Sequence, residues 1–259
     1  MVSLHYALLV ALLVCILAWQ ARTLTFGGAV AAFLIGVLVL AGTGLGGGAA
    51  LGVFFLSSSL VSRLTEARQA AWVDAKGNQR DAWQVGANGG VAAVGGLLGF
   101  ANLPLGLWIV TCSLAAAAAD TWATSLGVLA RRDPRHVLRW SRVPQGTSGG
   151  VSLLGTLGGV AGAMAVAAAP LGAGVPIREF ALAATIGTLG MLADSVLGAT
   201  VQGRFRCPTC QMASERRQHR CGTRTEQTGG IRWIGNDGVN AIATALAGLA
   251  GWAWWAWWA

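Results

Sequence analysis

Long apolar stretches dominate the sequence and restrict what the chain can fold into. A helix that spans the hydrocarbon core of a bilayer needs about 20 mostly apolar residues, and eight stretches near this length alternate with polar segments. Only 11% of the 259 residues are charged, whereas soluble domains usually carry about 25%. The sequence predicts an all-α, polytopic membrane protein with seven or eight transmembrane helices. The predicted segments are Val2–Trp19, Phe26–Ala41, Leu45–Val61, Val85–Phe100, Leu103–Ala130, Gly149–Ala169, Ile177–Val201 and Val239–Trp258.

The second to fourth segments are short and rich in glycine, which favours tilted, broken or re-entrant helices there. The chain contains 38 glycines, and small residues allow membrane helices to approach closely. No stretch of soluble-domain size remains. We therefore expect residues 1–259 to form a single membrane domain with one larger cytosolic loop, residues 202–235.

Three basic loops predict the orientation of the chain. The loops Arg63–Gln84, Arg131–Thr147 and Gln202–Gly235 contain 16 of the 18 Lys and Arg residues. With eight alternating segments, all three lie on one side. The positive-inside rule then predicts cytosolic loops and two outside termini, in a bacterial-type inner or plasma membrane. Orientation and contact with anionic lipid explain most of these cations, and no nucleic-acid-binding fold accompanies them.

Two aspartates lie within predicted spans. Asp120 follows five alanines and Asp194 lies in the sequence Gly-Met-Leu-Ala-Asp-Ser-Val-Leu-Gly. Because an ionisable residue inside a membrane is costly, each indicates a functional site. The alternative is a structural, inward-facing aspartate that Ser, Thr or a helix terminus satisfies. Asp120 lies 11 residues before Arg131 and Asp194 lies 10 residues before Arg204. At 1.5 Å per residue both lie up to about 15 Å from the cytosolic arginines, so they could share one cavity.

Similar glycine-containing helix starts follow each basic loop and predict repeated helical hairpins. They read Asn88-Gly89-Gly90-Val91, Ser148-Gly149-Gly150-Val151 and Asn236-Asp237-Gly238-Val239. Helix N-termini leave backbone N–H groups unpaired and favour anions. Carboxylates for Mg²⁺, small residues at helix starts and nearby arginines together suit phosphoryl transfer. Tight helix packing is the alternative reason for the small residues.

Several motifs together resemble the integral-membrane family of plant phytyl-phosphate kinase and animal transmembrane protein 19. These motifs are Arg80-Asp81 with Asn88-Gly89-Gly90, Asp120-Thr121-Trp122-Ala123, Val143 to Ser152, Asp194 to Thr200, and Asn236 to Asn240. The resemblance implies transfer of a phosphoryl group from CTP, or another nucleoside triphosphate, to an isoprenyl monophosphate. It implies a diphosphate product and an Mg²⁺ cofactor.

The chemistry and the resemblance together give a candidate site. Asp120, Asp194 and Asp237 are the expected catalytic residues, and the first two are the expected Mg²⁺ ligands. The expected substrate- and nucleotide-binding residues are Asn88, Thr121, Arg142, Gly146, Thr147, Ser148, Gly149, Gly150, Ser152, Ser195, Asn236 and Asn240. The chain departs from the family at Ser125, where the motif usually has a glutamate; Asp194 or Asp237 could compensate.

A separate cluster of metal-binding residues lies in the largest loop. Cys207, Cys210, His219 and Cys221 form a Cys-x2-Cys-x8-His-x-Cys pattern. Three cysteines and one histidine can form a closed tetrahedral zinc site, and a cytosolic setting disfavours a disulfide. We expect either a structural zinc ion or reduced, unligated thiols.

A transporter or flippase for a lipid phosphate or small solute is the main alternative function. In that case the intramembrane aspartates would couple movement to protons or bind a polar headgroup, since repeated hairpins and broken helices occur in transporters too. A transporter site must be reachable from both sides in turn, whereas both aspartates lie nearer the cytosolic side. This bias favours chemistry over transport.

Overall fold

The computed structural model describes residues 2–70, 73–74, 79–173, 176–214 and 217–258, and these residues are mostly helical. Four helices are long and apolar enough to cross a membrane, and the strands are short. The expected all-α, polytopic fold is confirmed. The helices in the described part of the chain are α1 (Leu4–Gln20), α2 (Phe26–Ala70), α3 (Ala82–Gly99), α4 (Leu103–Gly127), α5 (Leu153–Ala168), α6 (Ile177–Thr200) and α7 (Asn236–Trp258).

Helix α2 contains two of the predicted spans, joined at one non-helical residue. Gly44 has φ +68° and ψ −157°, a conformation open almost only to glycine. The chain reverses there. This follows from Arg63, in the second half of α2, which donates from its guanidinium to the carbonyl oxygen of Ala21, just before the first half begins. A continuous helix would place Arg63 about 55 Å from Phe26. The break expected between the second and third segments is therefore present, and the halves of α2 run antiparallel.

Helix α4 lies at the centre of the bundle. Residues Ile109 to Ala119 are all buried, whichever side of the helix they occupy. A helix that is apolar all round needs neighbours on every side, and α4 packs against α2, α3, α5, α6 and α7. Residues on α4 therefore meet side chains from most of the bundle.

Glycine contacts bring α2, α3 and α4 together at backbone distance. A Cβ atom on Gly96 would lie 2.6 Å from the carbonyl oxygen of Leu38, and one on Gly106 would lie 2.4 Å from Cα of Gly99. Without a hydrophobic driving force between helices in lipid, such close van der Waals packing supplies much of the association energy. The glycines of α2, α3 and α4 thus serve the close packing of these three helices.

The basic loops meet at one end of the bundle, which we call the loop end. Two small sheets form there, a four-stranded one in the order β1-β5-β4-β6 and a pair of β2 with β3. The larger sheet joins the first loop to the third, since β1 pairs in parallel with β5. The strands are β1 (Val73–Asp74), β2 (Arg135–His136), β3 (Gly150–Val151), β4 (Arg204–Arg206), β5 (Ala213–Ser214) and β6 (Glu226–Gly229).

Two helix starts differ from the sequence expectation. Helix α3 begins at Ala82, because Asp81 and Gln84 form a capping box, so Asn88 lies in the second turn. Helix α5 begins at Leu153, because Gly150 and Val151 pair with β2 and Ser152 caps the helix. The start of α7 at Asn236 agrees with the motif.

Replacing Gly96 with alanine is expected to destabilise the bundle. The new Cβ would meet three backbone atoms of Leu38 and Val39, which cannot move aside as a flexible side chain can. Overpacking of this kind costs about 1–3 kcal/mol, and thermal unfolding in detergent measures it. Gly86→Ala, in the same helix with open space around the new Cβ, is the matched control and should unfold at an equal or slightly higher temperature. Equal melting temperatures for both variants would contradict the packing account.

Candidate functional site

The carboxylates of Asp120 and Asp194 lie next to each other inside the bundle. Glycines allow this, because a Cβ on Gly187 or Gly190 of α6 would lie 2.7 or 2.6 Å from an alanine Cβ on α4. One turn further along the two helices the aspartate side chains are within hydrogen-bonding reach of each other. The residue Asp194 is only 9% exposed.

This aspartate pair has no cationic partner. No Lys, Arg or His side chain in the described part of the chain forms an ion pair with either carboxylate, and Oδ2 of Asp194 is buried without a hydrogen bond. Two ionised carboxylates at this distance repel each other, and burial strengthens the repulsion. The pair must therefore hold a shared proton or a cation.

Polar residues of α3 and α7 lie at the level of the pair. Gly190 packs near Ala247, so Thr244 is one turn closer to the loop end, as Asp194 is on α6. The Thr244 hydroxyl donates to the carbonyl oxygens of Ala87 at 3.0 Å and Asn240 at 2.9 Å. The side-chain oxygen of Asn240 is buried without a partner. An oxygen acceptor is thus left free one turn from the pair.

Asn88 lies at the same level, because the preceding residue, Ala87, accepts a hydrogen bond from Thr244. Its amide nitrogen donates to the carbonyl oxygen of Gln84 at 3.0 Å. On α4 and α6, Thr121 and Ser195 directly follow the aspartates and are half-buried. The Thr121 hydroxyl donates to the carbonyl oxygen of Ala117 in the same helix, at 2.8 Å.

A row of serines on α2 was not among the expected site residues. The hydroxyl oxygens of Ser57, Ser58 and Ser59 are buried without a hydrogen-bond partner. The hydroxyl oxygens of Ser62 and Ser125 lie 3.4 Å apart, and either could donate. Five residues earlier on each helix, Ser57 is therefore level with Asp120, and Ser58 is level with Thr121. The three-serine run was visible in the sequence, but only the fold shows that Ser57 lies level with an aspartate.

Ser125 contacts α2 and not the aspartate pair. It is 2% exposed and faces Ser62. Side chains five residues apart on an α-helix point in directions about 140° apart around the helix axis, so those of residues 120 and 125 face different neighbours. Ser125 and Asp120 therefore point to different sides of α4.

The glycine-rich segment before α5 packs against the end of α6. A Cβ on Gly149, which has φ +79°, would lie 2.5 Å from Cβ of Ala199. The backbone amides of Thr147 and Gly150 already donate to the carbonyls of Pro144 and Thr147. Ser152 is the N-cap, accepting from the Gly155 amide at 3.1 Å. The expected phosphate cradle is thus limited to the amides of Ser148 and Gly149, beside the exposed turn at Gly146.

Three further expected residues lie closer to the loop end than the pair does. Asp237 starts α7 and, from the helix registers, lies about 9 Å along the bundle axis from Asp194. Asn236 precedes it and is exposed. Arg142 is also exposed, and its backbone pairs with that of Arg135 in the smaller sheet. The structure does not bring these three residues to the aspartate pair.

The cysteine and histidine residues of the third loop form a compact cluster. One ligand atom from each of Cys207, Cys210, His219 and Cys221 lies within 4.8 Å of all the others. The Cys210 amide donates to Sγ of Cys207 at 3.4 Å, and Nδ1 of His219 lies 3.1 Å from Sγ of Cys221. Hydrogen bonds from Thr223 lower the pKa of Cys221 to about 6, which favours the thiolate. This cluster could bind a metal ion.

Two surface cavities lie away from the aspartate pair. One of about 430 Å³ adjoins the α1–α2 connection and is lined by Trp19 and Arg22. The other, of about 260 Å³, lies near the opposite end of the bundle and is lined by Trp108, Glu179 and Phe180. Neither is lined by Asp120 or Asp194.

The fold and the buried acidic pair define a polytopic helical membrane protein with a polar interior site. The chain belongs to the family described as Integral membrane protein DUF92, which it matches over residues 9–248. This assignment confirms the family resemblance found in the sequence motifs. No solved structure matches the chain.

Relatives from three kinds of organism cover most of the chain. The protein is 29% identical to Protein PGR of Arabidopsis thaliana, over 93% of this chain and 92% of that protein. It is 30% identical to an uncharacterized membrane protein of Methanocaldococcus jannaschii, over 73% of this chain and 80% of that one. An uncharacterized membrane protein of Synechocystis is 31% identical over 67% of this chain and 70% of its own length.

Removing one charge from the aspartate pair is expected to stabilise the protein when no divalent cation is present. Asp194→Asn keeps the shape of the side chain and ends the repulsion between two buried carboxylates. Each kcal/mol gained raises the melting temperature by about 2–4 °C for a chain of this size. Unfolding in EDTA at neutral pH measures the effect, with the exposed Asp133→Asn as control. A lower melting temperature for Asp194→Asn than for the control would show that the pair is not repulsive.

Proposed function

We propose that the protein is a membrane-embedded isoprenyl-phosphate kinase. It transfers a phosphoryl group from CTP, or another nucleoside triphosphate, to an isoprenyl monophosphate and forms the diphosphate. The observation that carries the proposal is the pair of Asp120 and Asp194 inside the bundle, which has no cationic partner among the described residues. Membership of the family and the glycine-rich segment beside α6 support it.

The residues at the pair fit a magnesium ion. Mg²⁺ takes oxygen ligands, usually one or two carboxylates completed by water and phosphate oxygens. Asp120 and Asp194 supply carboxylates, Oδ2 of Asp194 is without a partner, and the Asn240 side-chain oxygen is free one turn away. Bound there, Mg²⁺ would neutralise charge that develops on the phosphate oxygens during transfer.

The chain's own residues hold and orient the two phosphates. An oxygen of the lipid phosphate attacks the terminal phosphorus of the nucleotide, a new P–O bond forms, and the bond to the departing nucleoside diphosphate breaks. Because the attacking phosphate is already ionised, no strong general base is needed. The amides of Ser148 and Gly149 would bind donor phosphates, and helix packing would exclude water, so positioning and electrostatics supply the rate.

The remaining expected residues have outer roles in this proposal. Asp237, Asn236 and Arg142 lie nearer the loop end, where the polar nucleotide would enter. Thr121, Ser195 and Asn88 border the pair. The loop end faces the cytosol and both termini face outside, as the distribution of basic residues indicates.

We further propose that the third loop holds a structural zinc ion. Cys207, Cys210, His219 and Cys221 supply four ligands, which is the closed set of structural sites and leaves no position for a substrate. The ion would fix β4 and β5 beside the loop end. It would take no part in phosphoryl transfer.

Asp120→Asn is expected to abolish transfer. Detergent-purified protein, Mg²⁺, CTP or ATP and a panel of isoprenyl monophosphates should yield isoprenyl diphosphate with the wild-type chain only. Loss of a metal-holding carboxylate should lower kcat by at least about 100-fold. Asp133→Asn, in an exposed loop position, should retain full activity. Full activity of Asp120→Asn would refute the assignment.

The orientation is tested in the same assay with membrane vesicles, because nucleotides do not cross a bilayer. Inside-out vesicles should form the diphosphate from added CTP, and sealed right-side-out vesicles should not. Activity only in right-side-out vesicles would reverse the proposed orientation.

Protein purified without chelator is expected to contain one zinc ion per chain. Cys207→Ser and Cys221→Ser should each lower the zinc content and the melting temperature, because metal binding contributes to folding. Cys112→Ser, buried in α4 far from the loop, should leave the zinc content unchanged. Elemental analysis measures the metal, and zinc-free wild-type protein would refute the site.

Transport of a lipid phosphate or small solute is the second candidate, favoured by the aspartate pair inside the bundle, since intramembrane acids also couple transport to protons. Folded protein that neither binds nor turns over nucleotide would shift the assignment to it.

A further inference from the structure

Arg80 places a charged side chain inside the bundle. Its backbone is fixed at the loop end, where its amide donates to the Thr23 carbonyl at 2.9 Å and its carbonyl accepts from the Thr25 amide at 3.1 Å. From there the side chain extends inward, and its Cζ atom lies 5.5 Å from the ring centroid of Phe54. Phe54 is itself only 5% exposed and belongs to the main hydrophobic core.

The guanidinium has no anionic partner. In the described part of the chain it makes neither a salt bridge nor a hydrogen bond, and its one recorded contact is the ring of Phe54. Burial lowers its pKa to about 10, so it remains charged at neutral pH. Arg80 is half-buried, and guanidinium donors that lose water without gaining an acceptor are costly. An anion at this position would remove that cost.

The surrounding hydroxyls also lack partners. Ser57 and Ser58 follow Phe54 by three and four residues, so they lie on the same face of α2, one turn closer to the loop end. Their oxygens are buried without hydrogen bonds. The guanidinium and the two hydroxyls together supply hydrogen-bond donors and one positive charge, which is the chemistry that recognises a phosphate monoester.

This group of donors lies on a different helix from the one that the glycine-rich segment contacts. The contact of Ser62 with Ser125 makes Ser57 level with Asp120. Gly149 packs on Ala199 of α6, whereas the serines belong to α2. Both α2 and α6 pack extensively on α4, and no comparable packing joins them to each other within the described residues. The two candidate phosphate-binding groups thus lie against different helices that pack on α4.

We propose that Arg80, with Ser57 and Ser58, binds the phosphate of the lipid acceptor, while the segment before α5 binds the donor. This assignment rests on the proposed kinase function. The Arg80 group suits the acceptor because it lies within the apolar bundle on an aromatic ring, where a lipid headgroup can be held with its tail among helices. The donor nucleotide is larger and polar, and the segment beside α6 is at the loop end.

The test measures binding of farnesyl and phytyl monophosphates to detergent-purified protein in Mg²⁺, with farnesol and CTP as comparison ligands. Arg80→Gln should weaken binding of the monophosphates by about 10- to 100-fold, as expected for loss of hydrogen bonds from a charged group. Its affinities for farnesol and CTP should not change. The affinity of Arg80→Lys for the monophosphates should lie between those of the wild type and Arg80→Gln, since lysine keeps the charge but lacks the planar, forked guanidinium. Arg178→Gln, an exposed cation at the other end of the bundle, should bind as wild type.

Folding is controlled by the melting temperature of each variant. Should Arg80→Gln fail to fold, the double variant Ser57→Ala, Ser58→Ala should weaken monophosphate binding by about 3- to 10-fold. Unchanged monophosphate affinity in a folded Arg80→Gln protein, or in the double variant, would overturn the inference. A variant that loses affinity for CTP but keeps its affinity for the monophosphates would also overturn it.

The binding assay separates this inference from the kinase proposal, because it needs no turnover. Monophosphate binding that depends on Arg80, without diphosphate formation by the wild type, would uphold the phosphate site and overturn the kinase. Diphosphate formation by Arg80→Gln with an unchanged KM for the lipid would uphold the kinase and overturn the site.

Discussion

The contact between the carboxylates of Asp120 and Asp194 organises this structure. It exists because alanines on α4 and glycines on α6 allow the two helices to approach at backbone distance. The same small residues surround the pair with apolar groups, which raises the cost of leaving its charge uncompensated. Packing and site are therefore linked: the residues that stabilise the bundle also create the need for a cation or a proton inside it.

The sequence predicted the parts of the fold that depend on local composition. Span lengths, the break near Gly44 and the burial of Asp120 and Asp194 follow from apolar run length and from isolated charges. Helix starts were less accurate, as Asn88 and Gly149 show. Short polar interactions decide helix starts, here the capping box of Asp81 with Gln84 and the pairing of Gly150 with β2.

The rest of the site depends on contacts between distant segments, which run length and motif spacing do not encode. Ser57 and Arg80 became site candidates only when the fold placed Ser57 level with Asp120 and the Arg80 side chain on the ring of Phe54. Asp237 shows the opposite case, because its place in a glycine-containing helix start made it a site candidate, while its helix register places it nearer the loop end. By contrast, the Cys/His cluster was readable from spacing alone, since all four residues lie within one short loop.

The reversal of α2 at the single residue Gly44 has a consequence for the path of a lipid. With so short a connection on one side, the hairpin has no loop there that could open, whereas the opposite side carries two sheets and most of the cations. A headgroup held near Ser57 would enter and leave by the same leaflet of the bilayer. Such a protein would chemically modify its lipid without changing the leaflet in which that lipid resides.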